Sequence, residues 1–319
     1  MSRLGLLLAL AGLGGAVWLI SQQDLTEIRA LLHMAGFGLL LAALTHILPM
    51  VLNAEAWRVL LPGRRRPGLL ALTGLVWIRE SVNGLLPVAR IGGEIAGYRL
   101  LRGAGVAVPA AAGSLLADVA ISVISQLVFA LLGLALLAWA GAGIGWGAIG
   151  LAMVVGLAAA GGFILAQRAD LLSGLAALLN GVAAGRFTVF AQHSRRIDTL
   201  TRRLWRVRRA IGLCFLWQLL GWIAGAIEVW VALYFLGHPV GMPEALAIEA
   251  LVQAVSSAAF LVPGALGLQE AGFLGIGLLL GLPAEVATAL AIARRIRDLV
   301  IYLPGLLAWV WAERRLAAA

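Results

Sequence analysis

Two interruptions of apolar sequence, 176 residues apart, constrain the fold of this chain more than any other feature. The first runs Asn83-Gly84-Leu85-Leu86-Pro87-Val88-Ala89-Arg90-Ile91-Gly92-Gly93-Glu94, the second Phe260-Leu261-Val262-Pro263-Gly264-Ala265-Leu266-Gly267-Leu268-Gln269-Glu270. In each, a proline precedes a glutamate by seven positions with glycine between: Pro87 and Glu94, then Pro263 and Glu270. Proline removes a backbone donor and glycine tolerates unusual dihedrals, so a continuous helix would not choose these residues. Paired breaks in two halves of a membrane chain point to a transporter binding site. The plainer reading is two unrelated polar kinks. The flanking segments favour the first, because 39–61 shifts by the same offset onto 215–237, and 108–140 onto 284–316.

Helices are the elements to place around these breaks, because the 319 residues are 62% hydrophobic and only 12% charged, which excludes a soluble domain. The net charge of +9 would suggest nucleic acid in a soluble protein. Here most arginines fall in connecting segments, so membrane lipid is the expected partner and nucleic acid is not. The lone Cys214 allows no intrachain disulfide. The histidines, His33, His46, His193 and His238, lack metal-ligand spacing, so neither metal nor cofactor is expected. A glycine run over 141–147 resembles a nucleotide loop, but no strand precedes it.

The fold expected is an all-α polytopic membrane protein of about six spanning helices plus two re-entrant hairpins in an inverted-topology repeat. One integral membrane domain covers 1–319. Residues 1–34 hold an uncleaved N-terminal anchor helix and a polar, helical outer connection. Residues 35–140 form the first half, with one span over 37–61 and a hairpin entering along 69–84 and leaving along 91–101. Residues 141–209 hold a returning helix at 148–166 and a basic cytoplasmic segment. Residues 210–319 repeat the plan, with a hairpin over 244–281. Seventeen of the 24 arginines then lie on the assigned cytoplasmic side and one, Arg29, outside, which predicts that both termini are cytoplasmic. Ile197, Leu200, Leu204 and Ile211 form a narrow apolar stripe among the arginines of 195–209. That suits an interfacial helix on anionic lipid; a basic loop that only sets topology reads equally well.

Arg79, Glu80, Arg90, Glu94, Asp118, Glu228, Glu249, Glu270, Arg294, Arg295, Arg297 and Asp298 all sit in apolar context. Each central charge costs roughly 2.5–3.5 kcal/mol on insertion scales, so they must face one another, backbone or water. Any single one reads as a structural pair; together they read as a polar path. Arg79 and Glu80 are expected near an interface, Arg295 beside Glu285, and Glu55 with Arg58 one turn away. Asp118 and Arg294 are 176 apart, each ten residues into its helix, or roughly 15 Å into a core about 30 Å thick. They are expected to pair. Glu94 and Glu270, at matched positions, are expected to serve transport more than folding. No nucleophile elbow, His-Glu metal motif or phosphate loop is present.

These residues carry a resemblance to the flippase-like membrane family typified by the transmembrane region of lysylphosphatidylglycerol synthases. The matching pieces are Asn83 to Glu94 (Leu-Pro, a basic residue, then Gly-Glu), Leu261 to Glu270 (Pro-Gly-x-x-Gly-x-x-Glu), Asp118, and Arg294 or Arg297 in the last helix. The resemblance implies lipid translocation between leaflets, through a path including Asn83, Pro87, Arg90, Gly92, Glu94, Asp118, Pro263, Gly264, Gly267, Glu270, Arg294, Arg297 and Asp298. Two-part relatives carry a soluble aminoacyl-transferase domain after the membrane region. These 319 residues contain none, so no enzyme activity is expected. The stand-alone form is similar to the branch associated with hopanoid biosynthesis clusters. The alternative is a non-transporting membrane partner that organises lipid-modifying enzymes.

Overall fold

The computed structural model describes residues 3–63, 66–86, 92–141, 147, 196, 199–258 and 262–318. Helix α1 (Arg3–Ser21) leads into α2 (Leu25–Ala35). Asp24 starts α2 by accepting the Thr26 and Glu27 amides at 2.8 and 3.2 Å, as an N-cap should. Those amides, Glu27's above all, hold its carboxyl below the usual carboxylate range. This is the helical connection expected after the anchor.

The apolar stretch expected as one span is broken into α3 (Gly38–Thr45) and α4 (Ile47–Leu60), with His46 at the joint. Pro49 supplies no N–H for the Thr45 carbonyl four residues back, and its ring crowds that carbonyl. The Thr45 hydroxyl turns to the Ala42 carbonyl at 2.6 Å. The chain continues through α5 (Leu69–Leu85), α6 (Gly92–Gly103) and α7 (Val108–Trp139), so helices flank the first interruption as expected. Pro87 and Arg90 lie outside the described residues, as do the returning helix at 148–166 and nearly all of the glycine-rich turn. Further on come α8 (Arg208–Phe235), α9 (Met242–Ala258), a 3-10 turn (Pro263–Ala265), α10 (Leu268–Leu279) and α11 (Ala284–Ala318).

Of the basic segment, residues 199–206 are helical. The predicted stripe is split by a break at Val207, and what is described of it faces protein: Leu204, with its neighbour Trp205 and with Ile211 of α8, joins Ala56, Leu60, Ala117, Ile121 and Cys214 in one apolar cluster. Arg202, Arg203 and Arg206 point to the exposed side.

The two halves pack reciprocally. Helices α6 and α10 begin 176 residues apart, at 92 and 268, and so do α7 and α11, at 108 and 284. The offset therefore exchanges α5 with α9 and α7 with α11. Helix α5 packs on α11 and α9 packs on α7, so each contact is the image of the other; the α4–α8 contact is its own image. Each of the two exchanged contacts is made close by one glycine. A Cβ on Gly133 would lie 2.6 Å from the Ala250 Cβ, and one on Gly305 would lie 2.9 Å from the Ser81 Cβ. Small residues let helices approach in this way where lipid supplies no hydrophobic drive.

The surface is reversed relative to a soluble bundle. Leu41, Leu44, Leu213, Leu220, Leu299, Leu303 and Leu307 are exposed, whereas Arg79, Asp118, Glu228, Glu249, Glu270, Arg294 and Arg297 are buried. Three helical stretches, Gly38–Leu60, Val108–Trp139 and Arg208–Phe235, are long and apolar enough to cross a membrane. Helix α11 is longer still, but its central charges lower its hydropathy. The chain is thus a multi-pass helical membrane protein. Gly133→Leu and Gly305→Leu should each lower stability by about 1–3 kcal/mol through overpacking. Thermal unfolding in detergent would read this; unchanged midpoints would show that these contacts are not close.

Candidate functional site

The two interruptions meet. A Cβ on Gly264 would lie 3.2 Å from the Gly84 carbonyl oxygen, so the end of α5 touches the 3-10 turn. That turn needs left-handed backbone: φ is +59° at Gly264, +48° at Ala265 and +78° at Gly267. Glycine adopts this freely, whereas Ala265 is strained. Arg295 Nη1 donates to the Gly264 carbonyl at 2.9 Å, supplying a donor that the broken helix lacks. Glu270 Oε2 accepts the Gly267 N–H at 2.7 Å at the start of α10, and its Oε1 accepts Arg295 Nε at 2.6 Å. Pro263 sits in the turn itself. On the other side, Asn83 Oδ1 accepts the Gly93 N–H at 2.8 Å, and Asn83 Nδ2 donates to Glu94 Oε1 at 3.3 Å. One amide side chain so ties α5 to the start of α6. The sequence reading singled out Gly92, which begins α6, but the glycine in close approach is Gly93, whose Cβ would collide with the Arg79 carbonyl.

Two charge clusters stand behind these tips. In the first, Arg79 Nη1 lies 2.8 Å from Asp118 Oδ2 and 3.6 Å from Glu94 Oε2. Gln218 Nε2 donates to Asp118 Oδ1 at 2.8 Å, and the Arg79 guanidinium stacks 5.3 Å from the Trp57 ring centroid. Asp118 is fully buried, so a guanidinium and an amide replace the water it gave up. In the second, Arg294 bonds Glu249 and lies 3.4 Å from Glu228. Arg297 Nε lies 3.4 Å from Glu228 Oε1, and its Nη2 is 3.4 Å from Asp298 Oδ1. Asp298 also lies 3.3 Å from Arg295. Arg297 Nη1 donates to the Tyr302 hydroxyl at 2.6 Å.

Between the clusters is a polar cavity of about 230 Å³, bordered by Asn83, Glu94, Gly264, Arg294, Arg297 and Asp298 among others. An apolar cleft of about 460 Å³ adjoins it, walled by Leu13, Val17 and Ile20 of α1 and by Leu85, Leu266 and Leu299. Gly84, Gly264 and Asp298 border both spaces. Helix α1 is held over the cleft by backbone contact: a Cβ on Gly12 would lie 2.7 Å from the Leu266 carbonyl oxygen.

Several expectations need correction. Asp118 and Arg294 do not pair, because α8 packs against both α7 and α11, and each charge finds a partner in its own half of the sequence instead, Asp118 on α5 and Arg294 on α9. Equal depth in a repeat places two residues near each other only close to the axis. Arg79 is buried at the centre, with Glu80 on the cavity wall. Arg295 pairs with Glu270 and Asp298. The Glu55–Arg58 pair forms at 2.5 Å, as expected from its spacing. Matched positions also do unlike work: Glu270 caps a helix, whereas Glu94 Oε2 is buried without a hydrogen-bond partner beside the cavity.

The residues not singled out as path residues are His46, Arg79, Glu80, Gln218, Glu228, Glu249 and Tyr302. For all but Tyr302 the available signal was a polar side chain within an apolar run. Among the described residues no cluster of three or more His, Cys, Asp or Glu could hold a metal ion.

Lipid-facing helices with their charges turned inward onto a cavity define an integral membrane protein with an internal polar site. More narrowly, the chain belongs to the family described as the lysylphosphatidylglycerol synthase TM region, which it matches over residues 4–305. It matches no curated protein and no solved structure. The family places it in lipid-related function.

Arg79→Gln should cost about 3–5 kcal/mol, because it strands Asp118 in the interior. The double variant with Asp118→Asn should recover most of that loss. In a double-mutant cycle by thermal unfolding, Asp118 and Arg294 should couple by less than about 0.5 kcal/mol. Strong coupling there would contradict the separate pairing seen.

Proposed function

We propose that this protein translocates a lipid between the leaflets of a bacterial inner membrane, with both termini in the cytoplasm. The carrying observation is the continuity of a charged cavity with an apolar cleft through Gly84, Gly264 and Asp298. That combination suits an amphiphile, its headgroup among the side chains and its tail against α1. The 176-residue offset and reciprocal packing support an inverted-topology repeat, with α5–α6 and α9–α10 as hairpins entering from opposite faces. Such a repeat offers two related arrangements that open to opposite sides. The exposed arginines at 202–206 suit anionic lipid on the cytoplasmic face.

Each described central arginine already faces a carboxylate. A phosphate would compete with those carboxylates, whereas a polyol headgroup needs only hydrogen bonds. The favoured substrate class is therefore a lipid with a hydrogen-bonding headgroup of no excess negative charge, which a polyol-headed hopanoid would satisfy. The reading assigns no enzyme activity to these residues.

The test uses proteoliposomes holding a fluorescent glycosyl diacylglycerol or a fluorescent phosphatidylglycerol, with a membrane-impermeant quencher reporting transfer. Transfer of the glycosyl lipid above protein-free vesicles is expected. Glu94→Gln should slow it by about tenfold, equivalent to about 1.4 kcal/mol, with a normal unfolding midpoint. Glu270→Gln should lower the midpoint, since it removes a cap. If neither lipid moves, the protein is a non-transporting partner of other lipid enzymes.

A further inference from the structure

Among the described residues the central charge network holds more carboxylates than guanidiniums. Its described members include four guanidiniums, Arg79, Arg294, Arg295 and Arg297, against seven carboxylates, Glu80, Glu94, Asp118, Glu228, Glu249, Glu270 and Asp298. Arg90 is the only further charge in residues 87–91, and its addition would still leave two carboxylates in excess. An uncompensated charge in a low-dielectric interior is costly, so the surplus calls for protons or a bound cation.

His46 stands where the surplus is greatest. It occupies the α3–α4 joint and is faced from three helices, by Glu80 of α5, Glu228 of α8, and Arg297 and Tyr302 of α11. Arg294 and Asp298 of α11 and Glu249 of α9 form the next layer through Glu228 and Arg297. The Nδ1 atom lies 3.3 Å from Glu228 Oε2, yet makes no aligned hydrogen bond. The Nε2 atom has competing neighbours: Arg297 Nη1 at 2.9 Å, Tyr302 Oη at 3.0 Å and Glu80 Oε2 at 3.3 Å.

Those neighbours make incompatible demands. Arg297 can only donate, so its contact requires a lone pair on Nε2 and a neutral ring with its proton on Nδ1. Glu80 as a carboxylate can only accept, so its contact requires a proton on Nε2. With a proton kept on Nδ1, which faces Glu228, the Arg297 contact belongs to the neutral ring and the Glu80 contact to the imidazolium, one proton apart.

We propose that His46 is the proton-binding group of this cavity, and that its protonation transfers Nε2 from Arg297 to Glu80. A hydronium ion reaching the cavity gives its proton to Nε2 and becomes water, an N–H bond forms at Nε2, and Arg297 loses an acceptor. The guanidinium then keeps Tyr302, Glu228 and Asp298, and is freer to turn within the cavity it borders. Release of the proton restores the first arrangement. On the transport reading above, on which this part rests, the proton gradient would thus drive the lipid.

A protein whose only histidine is His46, made with His33→Gln, His193→Gln and His238→Gln, permits a direct test. Labelled with ¹⁵N-histidine in phosphatidylcholine–phosphatidylglycerol nanodiscs, its ring should titrate between about pH 5 and 8. Glu80→Gln should move the midpoint downward, because it weakens the acceptor of the protonated form. A ring held in one protonation state from about pH 5 to 8, or a midpoint indifferent to Glu80→Gln, overturns the proposal whatever the lipid does. In proteoliposomes with trapped pyranine, an imposed pH gradient should speed transfer of the fluorescent lipid and move protons, and His46→Gln should abolish both effects. Transfer indifferent to the gradient overturns the coupling and leaves translocation standing. Absence of transfer at every pH overturns translocation, and the ring titration then decides the role of His46 by itself.

Discussion

The pairing of buried guanidiniums with buried carboxylates is the constraint on which the rest of this structure depends. A chain that turns leucine outward cannot place charge on its surface, so every central charge must be satisfied by another part of the protein. Arg79 reaches Asp118 and Glu94 from a single position on α5. Arg294 does the same for Glu249 and Glu228 from α11. These contacts join helices far apart in sequence, so they set which helices can be neighbours. Hydrophobic packing alone would not choose, because lipid tails are as apolar as the leucines. The close glycine contacts at Gly133 and Gly305 then set how near those neighbours come.

The same rule applies to the backbone at the two breaks. A helix end inside a membrane leaves amides and carbonyls without partners, which irregular segments at that depth must recover from side chains. Here Asn83, Glu270 and Arg295 supply them. Two of these three belong to charged contacts, so the broken backbone and the charge network stabilise each other. Neither would persist alone: a tip without Arg295 leaves a bare carbonyl, and Arg295 without the tip loses one of its acceptors. Their joint presence keeps a polar, charged space open beside an apolar cleft.

Much of this was legible in sequence. The spacing of Pro87 to Glu94 and Pro263 to Glu270 marked both breaks, and the offset of 176 located α10 and α11 from α6 and α7. Hydropathy showed which charges lie within the apolar segments. It could not show partners, because periodicity places a residue on a helix without giving the rotation of that helix against its neighbours. Asp118 and Arg294 were matched by depth alone and proved to face different helices. His46 shows in the sequence only as a polar residue in an apolar run three positions before Pro49, and neither residue names the helices that face it. Of the stripe Ile197, Leu200, Leu204 and Ile211, Leu200 and Leu204 share the helical stretch 199–206, Ile211 lies beyond the break at Val207 in α8 and Ile197 lies outside the described residues, and a stripe does not say whether lipid or protein covers it. Only the surrounding cluster of Ala56, Ile121 and Cys214 decides that.

The two halves of the sequence contribute unequally to the site. On the inverted-topology reading, the backbone of one half maps onto the other, so two opposite-facing arrangements would be equal in energy if the side chains matched as well. They do not match. Asp118 corresponds to Arg294, Arg79 to Val255, Glu249 to Thr73, Arg297 to Ile121 and His46 to Trp222. Three of the four central arginines and five of the seven carboxylates belong to the cluster around α11 and His46. On that reading the two arrangements would differ in how well they satisfy charge, although they would share a backbone plan. A ligand or proton can shift such an equilibrium only through its differential affinity for the two states. On that reading, crowding the charge around α11 and His46 supplies such a difference, since whatever neutralises the excess carboxylates acts more strongly on the arrangement that exposes them to water.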